Sequence, residues 1–156
     1  MSGRNRLGRR LAQERGQSIV ELALVMPMLM LIVLGVLDVG RIFVTYDAVQ
    51  NAAREGAFYG TFNPSNLTSS TSADPNNILW HIQHEYPSLG VTSSEVTITC
   101  YVGVTTTTES CASTNSGDTI EVAIAYPFAL LPATVQALPG FGSATMLRAV
   151  VRTGVF

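Results

Sequence analysis

The pattern of apolar positions changes its period along this chain of 156 residues. From Leu22 to Leu37 there is no period at all: LALVMPMLMLIVLGVL runs for sixteen residues without a charge. Taken back to Ile19 the stretch is nineteen residues with Glu21 inside it. At about 1.5 Å per residue, nineteen helical residues reach roughly 28 Å, close to the ~30 Å hydrocarbon thickness of a bilayer. A core helix of a small domain keeps a polar face, and this stretch keeps none. It reads as a single transmembrane helix. From Asp38 to about Tyr59, Val39, Ile42, Phe43, Tyr46, Val49 and Ala53 recur at spacings of three and four, the period of an amphipathic helix laid on a sheet. Gly56 and Gly60 have GxxxG spacing, but at a helix end outside lipid they predict a stop rather than a dimerisation seam.

Residues 61–77, rich in Ser, Thr, Asn and Pro, read as an exposed loop. Asn66-Leu67-Thr68 fits a glycosylation acceptor, a triplet frequent by chance. Asn76 or Asn77 can cap a short helix that runs to about Glu85 and stops at Pro87. Beyond it the period becomes two. Val96, Ile98, Cys100 and Val102 alternate with Glu95, Thr97, Thr99 and Tyr101, a half-buried strand. Thr119 to Tyr126 repeats the logic with Ile120, Val122, Ile124 and Tyr126 facing in, and Ser143 to Arg152 is a third strand. Pro127, Pro132 and Pro139 confine 127–142 to a connection with one helical turn at Ala133–Leu138. The expected fold class is α+β, a long N-terminal helix packed on a small antiparallel sheet that cannot bury its apolar face alone.

Composition sharpens this division. Hydrophobic residues make up 47% of the chain and charged residues only 13%, oily for a soluble protein, and the length fits one small domain plus an appendage rather than two full cores. All nine basic residues are Arg. Without Lys, P-loop phosphate binding and Schiff-base chemistry are excluded. Residues 1–16 carry five Arg against Glu14, a net +4, whereas residues 38–156 carry nine acids against four Arg, a net −5. Basic residues within ~15–20 positions of a span resist translocation, so the leader belongs in the cytoplasm and the body outside. The leader Arg residues are a topology signal before they are a surface for nucleic acid or anionic lipid. A cleavable secretory signal fits poorly: Leu37 leads into Asp38-Val39-Gly40-Arg41, not into a small-x-small site.

Two features inside the span call for chemistry. Pro27 removes a backbone hydrogen bond, which membrane helices tolerate. Glu21 either snorkels to the headgroups or is retained because it meets a cation. In the body, Cys100 and Cys111 allow one intramolecular pairing, which would close a small hairpin loop. Two free thiols or, less simply, a zinc site are the other readings. His81 and His84 share a helix face with Glu85, but no second ligand pair has finger-like spacing. No G-x-S-x-G, HExxH or G-x-G-x-x-G pattern and no characteristic carboxylate pair is present. No catalytic residue, metal or cofactor is expected.

Gly16-Gln17-Ser18-Ile19-Val20-Glu21-Leu22, at the end of the basic leader, resembles the processing signal of type IV pilin-like proteins. Together with Glu21-Leu22-Ala23-Leu24-Val25-Met26-Pro27, Asp38-Val39-Gly40-Arg41 and Asn51-Ala52-Ala53-Arg54-Glu55-Gly56-Ala57, it is similar to the TadE/TadG-like pseudopilins of the tight-adherence (Tad) pilus system. The similarity is close over 16–60, looser over 94–152 and not evident between them. Leu22 departs from the aromatic residue common at that place.

The resemblance implies a non-enzymatic minor pseudopilin of a bacterial cytoplasmic membrane, single-pass, cut after Gly16 by a prepilin peptidase. It implies that the new amine of Gln17 meets Glu21 of a neighbouring subunit, two charges that neutralise each other in lipid. Its implied partners are the peptidase, major pilin and other pseudopilins, and the assembly platform with its ATPase. The division that follows is a leader at 1–16, a transmembrane helix at 17–37, an amphipathic continuation at 38–60 and an extracytoplasmic domain at 61–156. Two other classes remain: an uncut membrane-anchored envelope protein that binds through its sheet, and a membrane-tethered enzyme using His81 and His84.

Overall fold

The computed structural model describes residues 4–67, 75–129 and 144–156, with side chains from residue 17 onward except at position 144. Helix α1 spans Arg4–Phe62 and α2 Ile78–Glu85. Strands β1 (Val96–Tyr101), β2 (Thr108–Glu109), β3 (Thr119–Ala129) and β4 (Ala144–Gly154) form one antiparallel sheet in the order β2-β1-β3-β4. The chain divides into two compact units, Met1–Gly40 and Arg41–Phe156. From Ile19 to Leu37 the first is apolar helix whose large side chains are almost all exposed, long and apolar enough to cross a membrane and compatible with an anchor.

The second unit is the α+β body. Its core joins Val49, Ala52, Ala53 and Ala57 of α1, Ile78, Leu79 and Ile82 of α2, and Val96, Val122, Ile124 and Ala149 of the sheet. A smaller cluster gathers Cys100, Ile120 and Val155. The strands alternate as their sequences demand: Ile120, Val122 and Ile124 are buried, while Thr97, Met146, Arg148 and Arg152 are exposed. Asn77 caps α2, its side chain accepting the Trp80 N–H at 2.8 Å while itself fully buried.

Several expectations are corrected. The packed stripe of α1 is not the bulky one. Val49 and Ala53 are buried and Ile42 half-buried, but Val39, Phe43 and Tyr46 lie exposed, and the contact is made instead by Ala48, Ala52, Gly56, Ala57 and Gly60. Small side chains let α2 come close, so the period was right and the face was rotated. Gly56 and Gly60 do not stop the helix, which continues to Phe62. A Cβ on Gly56 would lie 2.9 Å from Ile78 Cγ2 and from Ile82 Cδ1, and one on Gly60 would collide with Ile120.

The sheet also gains a fourth strand, β2, only two residues long. Val102, expected to face in, is exposed because it lies beyond β1 in the turn that leads to β2. Pro127 lies inside β3 rather than ending it. The Ala125 N–H donates to Glu95 O at 2.8 Å on the β1 side. Two residues on, position 127 faces the same side where β1 has already ended, so the missing N–H breaks no ladder bond. The expected helical turn at Ala133–Leu138, residue Ser143 of the third strand and Thr68 of the glycosylation triplet lie outside the described residues.

Candidate functional site

The chemistry of the first unit gathers at residues 16–21. On a helix, residues four apart share a face, and the Gln17 side-chain amide donates to Glu21 Oε1 at 3.1 Å. Position 17 is therefore within reach of the Glu21 carboxylate inside a single chain. The helix is continuous through Gly16, with no break at the expected cut. A shallow apolar groove lined by Met26, Leu29, Met30, Val33 and Leu34 follows on the same helix.

In the body, Cys100 and Cys111 form a disulfide with Cα atoms 5.2 Å apart, and Cys100 is paired across the β1–β2 ladder with Glu109. The bridge is one turn of a larger staple that alternation does not reveal. The Asp118 carboxylate accepts the Gly103 N–H on Oδ1 and the Asn115 N–H on Oδ2, each at 2.8 Å. Gly103 has φ 57°, a left-handed conformation that glycine adopts without strain. These backbone donors, Gly103 first and Asn115 next, hold Asp118 below the usual carboxylate range against the opposing effect of burial.

The sign of the resulting linkage is definite. A depressed folded value contributes stability above the unfolded value and loses it as the pH falls through the folded one. Asp118→Asn, whose amide meets one of the two N–H donors with its own, is expected to destabilise the body at neutral pH. That deficit should shrink below about pH 4. Acid titrations of both proteins by circular dichroism check this, and a deficit independent of pH refutes it.

On the open sheet face Arg152 donates to Glu121 Oε2 at 2.7 Å and lies 4.3 Å from the centroid of the Tyr101 ring. Glu121 pairs directly with Arg152 across β3 and β4. Opposite charges at outward positions of neighbouring strands were the available sequence signal for this contact. The Arg152 side chain is exposed and that of Glu121 half-buried, so solvent screens the pair and it adds little to stability. At the far end of α1 the rings of Phe58 and Phe62 meet edge-on at 5.1 Å, and Phe156 stacks on Phe62 at 6.1 Å, all three exposed.

The histidines are engaged in packing. His81 stacks on Tyr59 at 3.9 Å and His84 on Trp80 at 3.6 Å, with His84 Nδ1 2.9 Å from Trp80 O. Glu109 Oε1 and Thr114 Oγ1 are buried without a hydrogen-bond partner. Among the described residues no group of three or more His, Cys, Asp or Glu is placed to hold a metal ion.

The comparisons with known proteins fall on the first of these places. Residues 16–57 match the TadE family, described as TadE-like protein. The match opens at Gly16, includes Glu21 and the apolar span, and ends in the packed stripe of α1. No curated protein and no solved structure matches the chain.

Proposed function

We propose that this chain, TadE-like over residues 16–57, is a minor pilin-like subunit that is trimmed after Gly16 and then takes part in assembly of a Tad-type pilus and in adhesion. The observation that carries the reading is the coincidence of three features at one point of the sequence. The matched segment begins at Gly16, the basic leader ends there, and the acid at position 21 lies one helical turn beyond. Cutting between Gly16 and Gln17 creates an α-amino group on Gln17. In the uncut chain the Gln17 amide already reaches the Glu21 carboxylate. A charged amine from a neighbouring subunit is the stronger partner, because it adds to the hydrogen bond an attraction of opposite charges that a low-dielectric surrounding screens little. Each charge alone in the apolar helix would be costly, and the pair is much less so.

The partners of this reading are a prepilin peptidase, the major pilin, other pseudopilins and the assembly platform. The leader faces the cytoplasm, the body lies outside, and the role is structural rather than enzymatic. A protease needs an extended backbone, whereas α1 is helical through Gly16. Cutting therefore requires the leader to unwind, which the low helix propensity of glycine assists by about 1 kcal/mol. The unbroken helix is also what favours the second reading, an uncut envelope anchor that acts through its sheet domain.

Intact mass measurement of the protein extracted from its native membrane separates the two. The proposed subunit begins at Gln17, and the uncut anchor retains its arginine-rich leader. Gly16→Ala should preserve the leader. Glu21→Ala should leave cutting intact and reduce pilus yield. An unchanged yield with Glu21→Ala would remove the charge pairing from the reading.

A further inference from the structure

We propose that the turns of α1 carrying Phe43, Val44 and Tyr46 are seated in the lipid headgroup layer, so that the membrane surface on the body side lies near Asp47 rather than at Leu37. The inference rests on the reading of the apolar helix as a membrane anchor and adds where that anchor stops.

Three observations carry it. First, these side chains face away from the body they belong to. The body packs against Val49, Ala52, Ala53 and Ala57, while Phe43 is 75%, Val44 70% and Tyr46 41% exposed. Second, of the two charges that seem to end the span in the sequence, the acid is not exposed and the Arg, though exposed, leans on an aromatic ring. Asp38 is buried, at 8% exposure, and the Arg41 guanidinium lies 5.3 Å from the centroid of the Phe128 ring. The next exposed carboxylate is Asp47.

Third, the lengths decide between the two boundaries. With the Glu21 carboxylate at the headgroup edge, the uncharged run Leu22–Leu37 that remains is sixteen residues, about 24 Å of helix and short of a ~30 Å hydrocarbon layer. The nineteen residues from Ile19 reach that thickness only by burying Glu21. Glu21 and Asp47 are twenty-six positions apart, about 39 Å of helix, close to the ~40–45 Å of a bilayer with its headgroups. Tyr46 has the apolar ring and polar tip that suit the interfacial layer, and the wholly apolar Phe43 and Val44 suit its inner edge. Arg41, exposed beside Phe128, is placed at the depth of the lipid phosphates, which favours bilayers containing anionic lipid.

The test uses the full chain with its disulfide oxidised, in phosphatidylcholine–phosphatidylglycerol vesicles. Met30→Cys, Phe43→Cys, Tyr46→Cys and Arg54→Cys are each labelled with an environment-sensitive dye. Nitroxide-bearing lipids and aqueous iodide serve as the two quenchers. The expected result is strong lipid quenching with a blue-shifted emission at 30, 43 and 46, and iodide quenching alone at 54. Iodide access at 43 equal to that at 54 overturns the proposal while the anchor stands, provided 30 remains lipid-quenched. Shielding of 43 from both quenchers, with self-quenching that rises with protein density, assigns the surface to a second copy of the chain and also overturns it. Loss of lipid quenching at 30 as well removes the anchor reading itself.

Discussion

Gly60→Val lowers the unfolding free energy of the body by about 2 kcal/mol, while Gly60→Ala changes it by less than about 1. A Cβ at this position meets the end of Ile120, lies 3.0 Å from Leu67 Cδ2 and 3.3 Å from Ile78 Cδ1. Ile120 and Ile78 are themselves fully buried, so neither can swing aside into solvent. Overpacking of this kind costs about 1–3 kcal/mol. Against it, Ala recovers roughly 1 kcal/mol of helix propensity relative to Gly, and Val recovers less because its branched Cβ is stiff in a helix. The two effects nearly cancel for Ala and not for Val. Gly40→Ala is the control, since nothing lies within 4 Å of its Cβ. Urea unfolding of the detergent-solubilised chain, followed by near-ultraviolet circular dichroism, measures all three. A Gly60→Val protein as stable as the parent would show that α1 and the elements packed on it can separate at no cost.

Reducing the Cys100–Cys111 bridge destabilises the body by about 3 kcal/mol in the chain-entropy account, in which the link confines the unfolded chain over a short loop. The residues are eleven apart in sequence. Cys100 is completely buried beside Ile120 and Val155, so the substitution chosen matters. Ser at position 100 would bury a hydroxyl among apolar groups, a separate penalty. Cys100→Ala with Cys111→Ala isolates the loss of the link plus a small void. The reduced parent protein gives the loss of the link without the void. Urea midpoints should therefore fall in the order oxidised, reduced, double alanine. Coincident midpoints for the oxidised and reduced protein would mean that the Asp118 staple alone closes this loop.

These two experiments mark the boundary between what could be read in advance and what could not. Cys100 and Cys111 were a candidate pair because there were only two, and the strand period put one of them on an inward position. Asp118 gave no such sign. Its role depends on Gly103, fifteen residues away, and on an N–H that becomes available only when the intervening turn is formed. The charge contact of Glu121 with Arg152 had a signal in two outward strand positions, but the two could be matched only once β3 and β4 were in register, thirty-one residues apart. Pro127 looked like the end of a strand because sequence cannot tell that β1 stops short on that side.

The helix teaches the same lesson more sharply. A period of three to four was legible from Val39 to Ala53, but periodicity specifies that one face is apolar, not which of two apolar stripes a partner will choose. The sheet and α2 took the stripe of Ala and Gly, since close approach of backbones buries more surface than bulky side chains held apart. Phe43 and Tyr46 were left outside.

By itself the sequence determined the long apolar span, the charge asymmetry across it, the α+β class and the Gly16–Glu21 segment that matches TadE-like proteins. Each depends on composition or on neighbours within one helical turn, where covalent geometry carries the information. Only the tertiary structure decided the packed stripe of α1, the fate of Gly56 and Gly60, the fourth strand and the Asp118 staple. Those depend on which distant surfaces meet, and that choice is made by shape and by the satisfaction of buried polar groups once the chain has folded.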